Sequence, residues 1–142
     1  MYIDKAFLLI NVGQSELTEA SDFDEGSIEN TAKIEQSINM AEAYMNAKLS
    51  QAYILPVRGE DGSIPPLLQN IAVALTRMEY FQNRATEEII IRCREARSQL
   101  NLIIEGKLDI IGLDGIIVNR ILSRSLNVKL AKVTRYKAKD IC

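Results

Sequence analysis

Residues 50–72 read SQAYILPVRGEDGSIPPLLQNIA and contain all three prolines of the 142-residue chain. Pro56 cannot continue a helix and biases Leu55 towards an extended backbone, so a helix arriving from the N-terminal side stops before it. Gly59, Asp61 and Gly62 supply turn residues. Ser63, Ile64, Pro65 and Pro66 then set up a new helix, because proline is tolerated in a first turn where the amide has no intrahelical partner. A stop and a start joined by a turn make this stretch a helix-to-helix connection.

The flanking patterns agree. Before it, Ile34, Ile38, Ala41, Met45 and Leu49 are spaced by four, three, four and four residues, which is one face of a long helix running from Ser27 to about Gln51. After it, Leu68, Ile71, Ala72, Leu75 and Met78 build a second stripe that runs to about Asn83. Thr86 caps a third helix, with Glu87 and Glu88 in the first turn where the helix dipole favours carboxylates. Its stripe is Ile89, Cys93, Ala96, Leu100 and Ile103 or Ile104, and Gly106 closes it.

Nearer the N-terminus, Asp4 caps a short helix carrying Phe7, Leu8 and Val12 up to Gly13, and Ser15 starts a second brief one through Leu17 and Ala20. The acidic run from Ser21 to Ser27 reads as a surface loop. The expected fold is therefore all-α: a small antiparallel helical bundle of three longer helices with two short N-terminal helices alongside. Residues 1–108 form that body. Residues 109–142 read as an extended basic arm with little core of its own, since the β-branched run Ile110 to Ile121 is interrupted by glycines and gives neither a long helix nor a strand.

The formal net charge is only -2, but it is unevenly spread. Residues 1–64 carry 4 Lys/Arg and 11 Asp/Glu, and residues 116–142 carry 7 and 1, so the two ends hold -7 and +6. Such asymmetry suits a basic arm for nucleic acid, an arm for an acidic protein partner, or self-association in which one subunit's tail meets another's acidic face. No run approaches a membrane span, and Met1, Tyr2, Ile3 and Asp4 do not begin a signal peptide, so no membrane partner is expected. Cys93 falls on an apolar helix face and Cys142 is the only other cysteine, which fits a reducing compartment better than a disulfide.

Histidine is absent, which excludes Ser-His-Asp and Cys-His chemistry and removes the commonest acid-base group and metal ligand. Glu87 with Glu88 is explained by a helix start rather than by catalysis. Asp22, Asp24 and Gly26 do not make a calcium loop, because glycine stands fifth, serine sixth and Lys33 twelfth where an oxygen ligand, glycine and glutamate are required. No phosphate-binding glycine motif occurs. Neither an enzyme nor a cofactor or metal site is expected. Arg92 and Arg94 lie about 200° apart on their helix, so with Arg97 they form a solvated surface and not one basic face.

Tyr53, Ile54, Leu55, Pro56 and Val57, then Pro65, Pro66, Leu67 and Leu68, then Ile71, Ala72, Leu75 and Tyr80 resemble the signature of the Mu-like phage family of small head-to-tail connector proteins. Tyr2, Leu8, Gly13, Leu17 and Thr18 agree on the N-terminal side. Thr86, Glu88, Ala96, Leu100, Gly106 and Lys107 agree on the C-terminal side, so the resemblance covers about residues 2–108. It implies a structural protein of the virion neck, in the host cytoplasm before assembly. There it would form a homo-oligomeric ring, dodecameric by that resemblance, between the portal protein and a tail or tail-completion protein. DNA would only pass through the lumen. Ring closure needs heterologous contacts, one patch meeting a different patch on the neighbour.

The segment beyond Leu113 has no counterpart in that pattern. Its basic residues Arg120, Arg124, Lys129, Lys132 and Arg135 are interleaved with Val128, Leu130, Val133 and Tyr136. Apolar residues among the charges suggest a segment that docks on a protein as an added strand or strap, and these nine are the expected partner-binding residues. The alternative is a helical nucleic-acid-binding protein whose basic arm neutralises phosphates.

Overall fold

A computed structural model describes residues 1–13 and 31–121. Four α-helices account for most of them: α1 (Lys5–Val12), α2 (Thr31–Leu49), α3 (Pro66–Phe81) and α4 (Glu87–Ile104). A short 3-10 turn, Gln82–Arg84, links α3 to α4. Among the described residues the protein is all-α, with no strand and one isolated bridge between Ile111 and Ile117. The expected second N-terminal helix, the start of the long helix at Ser27 and the acidic loop lie outside the described residues.

Capping chemistry sets the ends. The Asp4 carboxylate accepts the Phe7 N–H at 2.8 Å, and Gly13 closes α1 at φ +93°, a backbone conformation that suits glycine. Pro66 is the first residue of α3, and no side chain caps that helix. Ser63 does not start the helix as its sequence position suggested: its N–H and hydroxyl both bond the Asp61 carboxylate, at 3.0 and 2.6 Å, so it belongs to the preceding turn. Thr86 Oγ1 accepts the Ile89 N–H at 3.4 Å. Because that bond is long, Thr86→Ala should cost about 0.5–1 kcal/mol, the lower part of the usual range for a lost cap. Urea unfolding followed by circular dichroism checks this, and an unchanged midpoint would show that the hydroxyl does not cap.

Helix α3 packs against both α2 and α4, which also meet each other, and α1 lies against α2 and α3. The buried faces are the predicted stripes. Ile34, Ile38, Ala41, Met45 and Leu49 come from α2, Leu68, Ile71, Ala72 and Leu75 from α3, and Ile89, Cys93, Ala96, Leu100 and Ile103 from α4. Each fully buried aliphatic side chain contributes about 1.5–3 kcal/mol relative to exposure. Tyr2 joins them from the extended N-terminus, its hydroxyl donating to Asn46 Oδ1 at 2.7 Å.

Beyond α4 the structure differs from the arm expected for 109–142. Gly106 adopts φ +80°, and the Gly106 and Lys107 amides donate to the Ile103 and Leu102 carbonyls, which turns the chain back along the body. Ile110 is then fully buried and Val118 packs on the core. Of this segment, Ile110 and Val118 bring apolar side chains to the helical core.

Candidate functional site

The connection that decides the fold meets residues 109–121 at one end of the molecule. Two turns there share a sequence pattern and a bonding pattern. GEDGSI, residues 59–64, and GLDGII, residues 112–117, each begin on a glycine whose N–H donates to the carbonyl four residues on, Ser63 in one and Ile116 in the other, at 2.9 Å. In each, the second glycine donates back to the first at 3.0 Å and sits at φ +81°. The aspartates match as well: Asp61 accepts the Ser63 N–H and Asp114 accepts the Ile116 N–H, both at 3.0 Å. The Ser63 hydroxyl, donating at 2.6 Å, and then its N–H hold the exposed Asp61 carboxyl below its ordinary range.

The two turns touch through their glycines. A Cβ built on Gly112 would stand 3.3 Å from the Gly59 Cα, and one built on Gly59 would stand 3.5 Å from the Gly112 Cα. A side chain on Gly112 would therefore be tight against the Gly59 backbone, whereas one on Gly59 would reach Gly112 at ordinary contact distance. The repeated G-x-D-G-x-I in the sequence is the signal that marks the two turns as a pair.

Arg120 fixes the segment on the other side. Its guanidinium donates to the carbonyls of Ile103 and, at 2.6 Å, Ile104, at the C-terminus of α4 where the helix dipole is negative. The same group lies over the Tyr53 ring at 5.6 Å, and Ile121 N–H donates to the Ala52 carbonyl at 2.9 Å. Arg120 was expected among the partner-binding residues; here it is engaged within its own chain, capping a helix whose last carbonyls need donors. The other eight, Arg124, Val128, Lys129, Leu130, Lys132, Val133, Arg135 and Tyr136, lie outside the described residues.

Burial pushes the Tyr53 phenol above its ordinary value of 10.0, with Arg120 opposing. A folded-state pKa above the unfolded one gives stability that is fully present below about pH 10 and is lost as pH rises through the folded value. Tyr53→Phe removes that loss. The fall in melting temperature between about pH 9 and about pH 11 should be smaller in the variant than in the parent; parallel falls would show that Tyr53 ionises as freely folded as unfolded. Tyr2 is raised by burial in the same sense and remains in both proteins.

Aliphatic side chains crowd the surface of this end. Ile54 is 77% exposed and Leu113 71%, while Ile54, Pro56 and Ile117 line one groove. Ile111 and Ile117, opposite one another across the bridge, are about half exposed and share a face. Isolated exposed aliphatics are ordinary, but a group that lines one groove or shares one face is the kind of patch that interaction surfaces use.

Several other charges among the described residues have local partners. Glu88 pairs with Arg92 at 3.2 Å and lies 3.9 Å from Arg77, and Arg97 stacks over the Tyr44 ring at 4.5 Å. Among the described residues no group of three or more acidic or cysteine side chains is placed to hold a metal, and no helix is long and apolar enough to cross a membrane.

A protein-family model described as "Bacteriophage Mu, Gp36" matches residues 2–115, which takes in the helices, the first glycine turn, Gly112 to Gly115 of the second, and the cis Leu55–Pro56 bond. No curated protein sequence gives a significant match.

Proposed function

The chain belongs to the bacteriophage Mu Gp36 family, and from that premise we propose that it is a non-enzymatic structural protein of the virion neck. In this reading the helices form a small antiparallel bundle, and copies of it form a ring adaptor between the portal and the tail, with DNA passing through the lumen. The observation that carries it is the family match over residues 2–115. Two features support it. The glycine-paired turns lie beside an exposed aliphatic face, as a docking surface requires, and the charge asymmetry gives one chain an acidic N-terminal half and a basic C-terminal end. Complementary but different patches are what a heterologous ring contact uses.

The test is an affinity pull-down from phage-infected cells with tagged full-length protein and a version ending at Ile121, after nuclease treatment, read by mass spectrometry. Recovery of portal and tail components with the full-length protein is the expected result. Recovery of nucleic acid alone, with affinity falling with salt at about the 0.9 power per phosphate contact, would replace the neck reading with a DNA-binding one.

A further inference from the structure

The exposed aliphatic face at the paired turns has a particular charge environment. Glu60 and Asp61 stand on one turn, Asp109 and Asp114 on or beside the other, and all four are exposed. The cations at this end are committed elsewhere: Arg58 donates to the Met1 and Val57 carbonyls, Lys107 pairs with Glu105 at 3.2 Å, and Arg120 caps α4. The surface therefore offers an apolar strip, Ile54, Leu113 and Ile117 foremost, within a rim of carboxylates.

Its complement is written in the same chain. Residues 128–136 alternate apolar Val128, Leu130, Val133 and Tyr136 with basic Lys129, Lys132 and Arg135. That run would set aliphatic side chains on the strip and ammonium and guanidinium groups against the rim. We propose that this face receives the C-terminal segment, residues 122–142, of a second copy of the protein, which names the surface that subunits use on one another and rests on the reading of the protein as a self-assembling connector.

Chain length and start point favour a neighbour over the same copy. Ile121, the last described residue, is pinned to Ala52, only four residues beyond Ile117. Docking on its own face would require the chain to double back within residues 122–127, directly after the bond that pins Ile121 to Ala52. Continuing outward, residues 122–142 reach about 70 Å at about 3.3 Å per residue, enough to cross to an adjacent subunit. Every subunit would give one arm and accept another, the arrangement that closes a ring.

The experiment mixes ¹⁴N- and ¹⁵N-labelled full-length protein, each carrying a photoreactive phenylalanine derivative at Val133. After assembly and irradiation, cross-linked peptides are read by mass spectrometry while light scattering reports the assembled mass. Mixed-isotope cross-links to residues 54–60 or 111–117, reduced at least tenfold by Leu113→Asp with Ile117→Asp, are expected. Both substitutions fall on exposed side chains, and unchanged helical circular dichroism separates a lost contact from a lost fold. Mixed-isotope links to other surfaces would overturn this docking site while leaving assembly intact. Cross-links confined to one isotope, in protein that stays monomeric, would overturn the docking site and self-assembly together.

Discussion

Arg120→Ala should lower the unfolding free energy by about 2–4 kcal/mol, because it leaves the Ile104 carbonyl without its charged donor and the Ile103 carbonyl with backbone amides alone, at the end of α4. It also removes the cation from the Tyr53 ring. Arg120→Lys should recover less than half of this, since an ammonium is a point charge that does not span two carbonyls as the planar fork does. Urea unfolding measures the total. Hydrogen exchange locates it: amides of 107–121 should exchange faster under native conditions, ahead of global opening. A loss below about 0.5 kcal/mol, the level of an ordinary surface substitution, would mean that this guanidinium does not anchor the segment to the body.

That anchoring explains why the helices were legible in the sequence and the C-terminal boundary was not. Stripes at helical spacing, Asp4, Gly13, Thr86 and Gly106 each report on neighbours within a few residues, and local chemistry decided them. The fate of Arg120 depends on Tyr53 and on the last carbonyls of α4, 67 and 16 residues away. In sequence it stands first in a row of cations, and composition assigns it to the arm. Ile110 was misjudged for a related reason: a β-branched residue between a turn and a glycine has no period of its own, and only the space left uncovered by the helices made it core.

The interaction face was half legible. The turn at Gly59, Asp61 and Gly62 was read from its residue types, and the basic segment from its alternation. What joined them was the second copy of the motif at Gly112, whose use becomes evident only when the two turns are placed against each other. The face also gains from the chain's least helical stretch. Ile54 and Pro56 stand outward because Pro56 ends helical continuation, while Tyr53 and Val57 on either side are buried and hold the turn to the body.

The contact between the turns gives the sharpest test of that geometry. In Gly112→Ala the new Cβ would lie 2.7 Å from Asp114 Oδ1 and 3.3 Å from the Gly59 Cα. The carboxylate cannot swing aside without losing its bond to the Ile116 amide, and the second obstacle is backbone, so the expected cost is about 1–3 kcal/mol, that of overpacking. Gly59→Ala should cost somewhat less, its nearest atoms being Asp61 Oδ1 at 2.9 Å and Ser63 Oγ at 3.4 Å. Because the two new methyl groups would meet at the same contact, the double variant should depart from the sum of the two. Gly115→Ala is the control: nothing lies within 4 Å of its Cβ, so only its left-handed backbone at φ +81° is penalised, at about 1–2 kcal/mol. The discriminating readout is coupling. Gly112→Ala and Gly59→Ala should interact by at least about 0.5 kcal/mol, whereas Gly115→Ala and Gly59→Ala should add. Strict additivity of the first pair would mean that the turns move independently and that the aliphatic face has no shared base, whereas coupling makes Ile54 and Ile117 parts of one rigid surface.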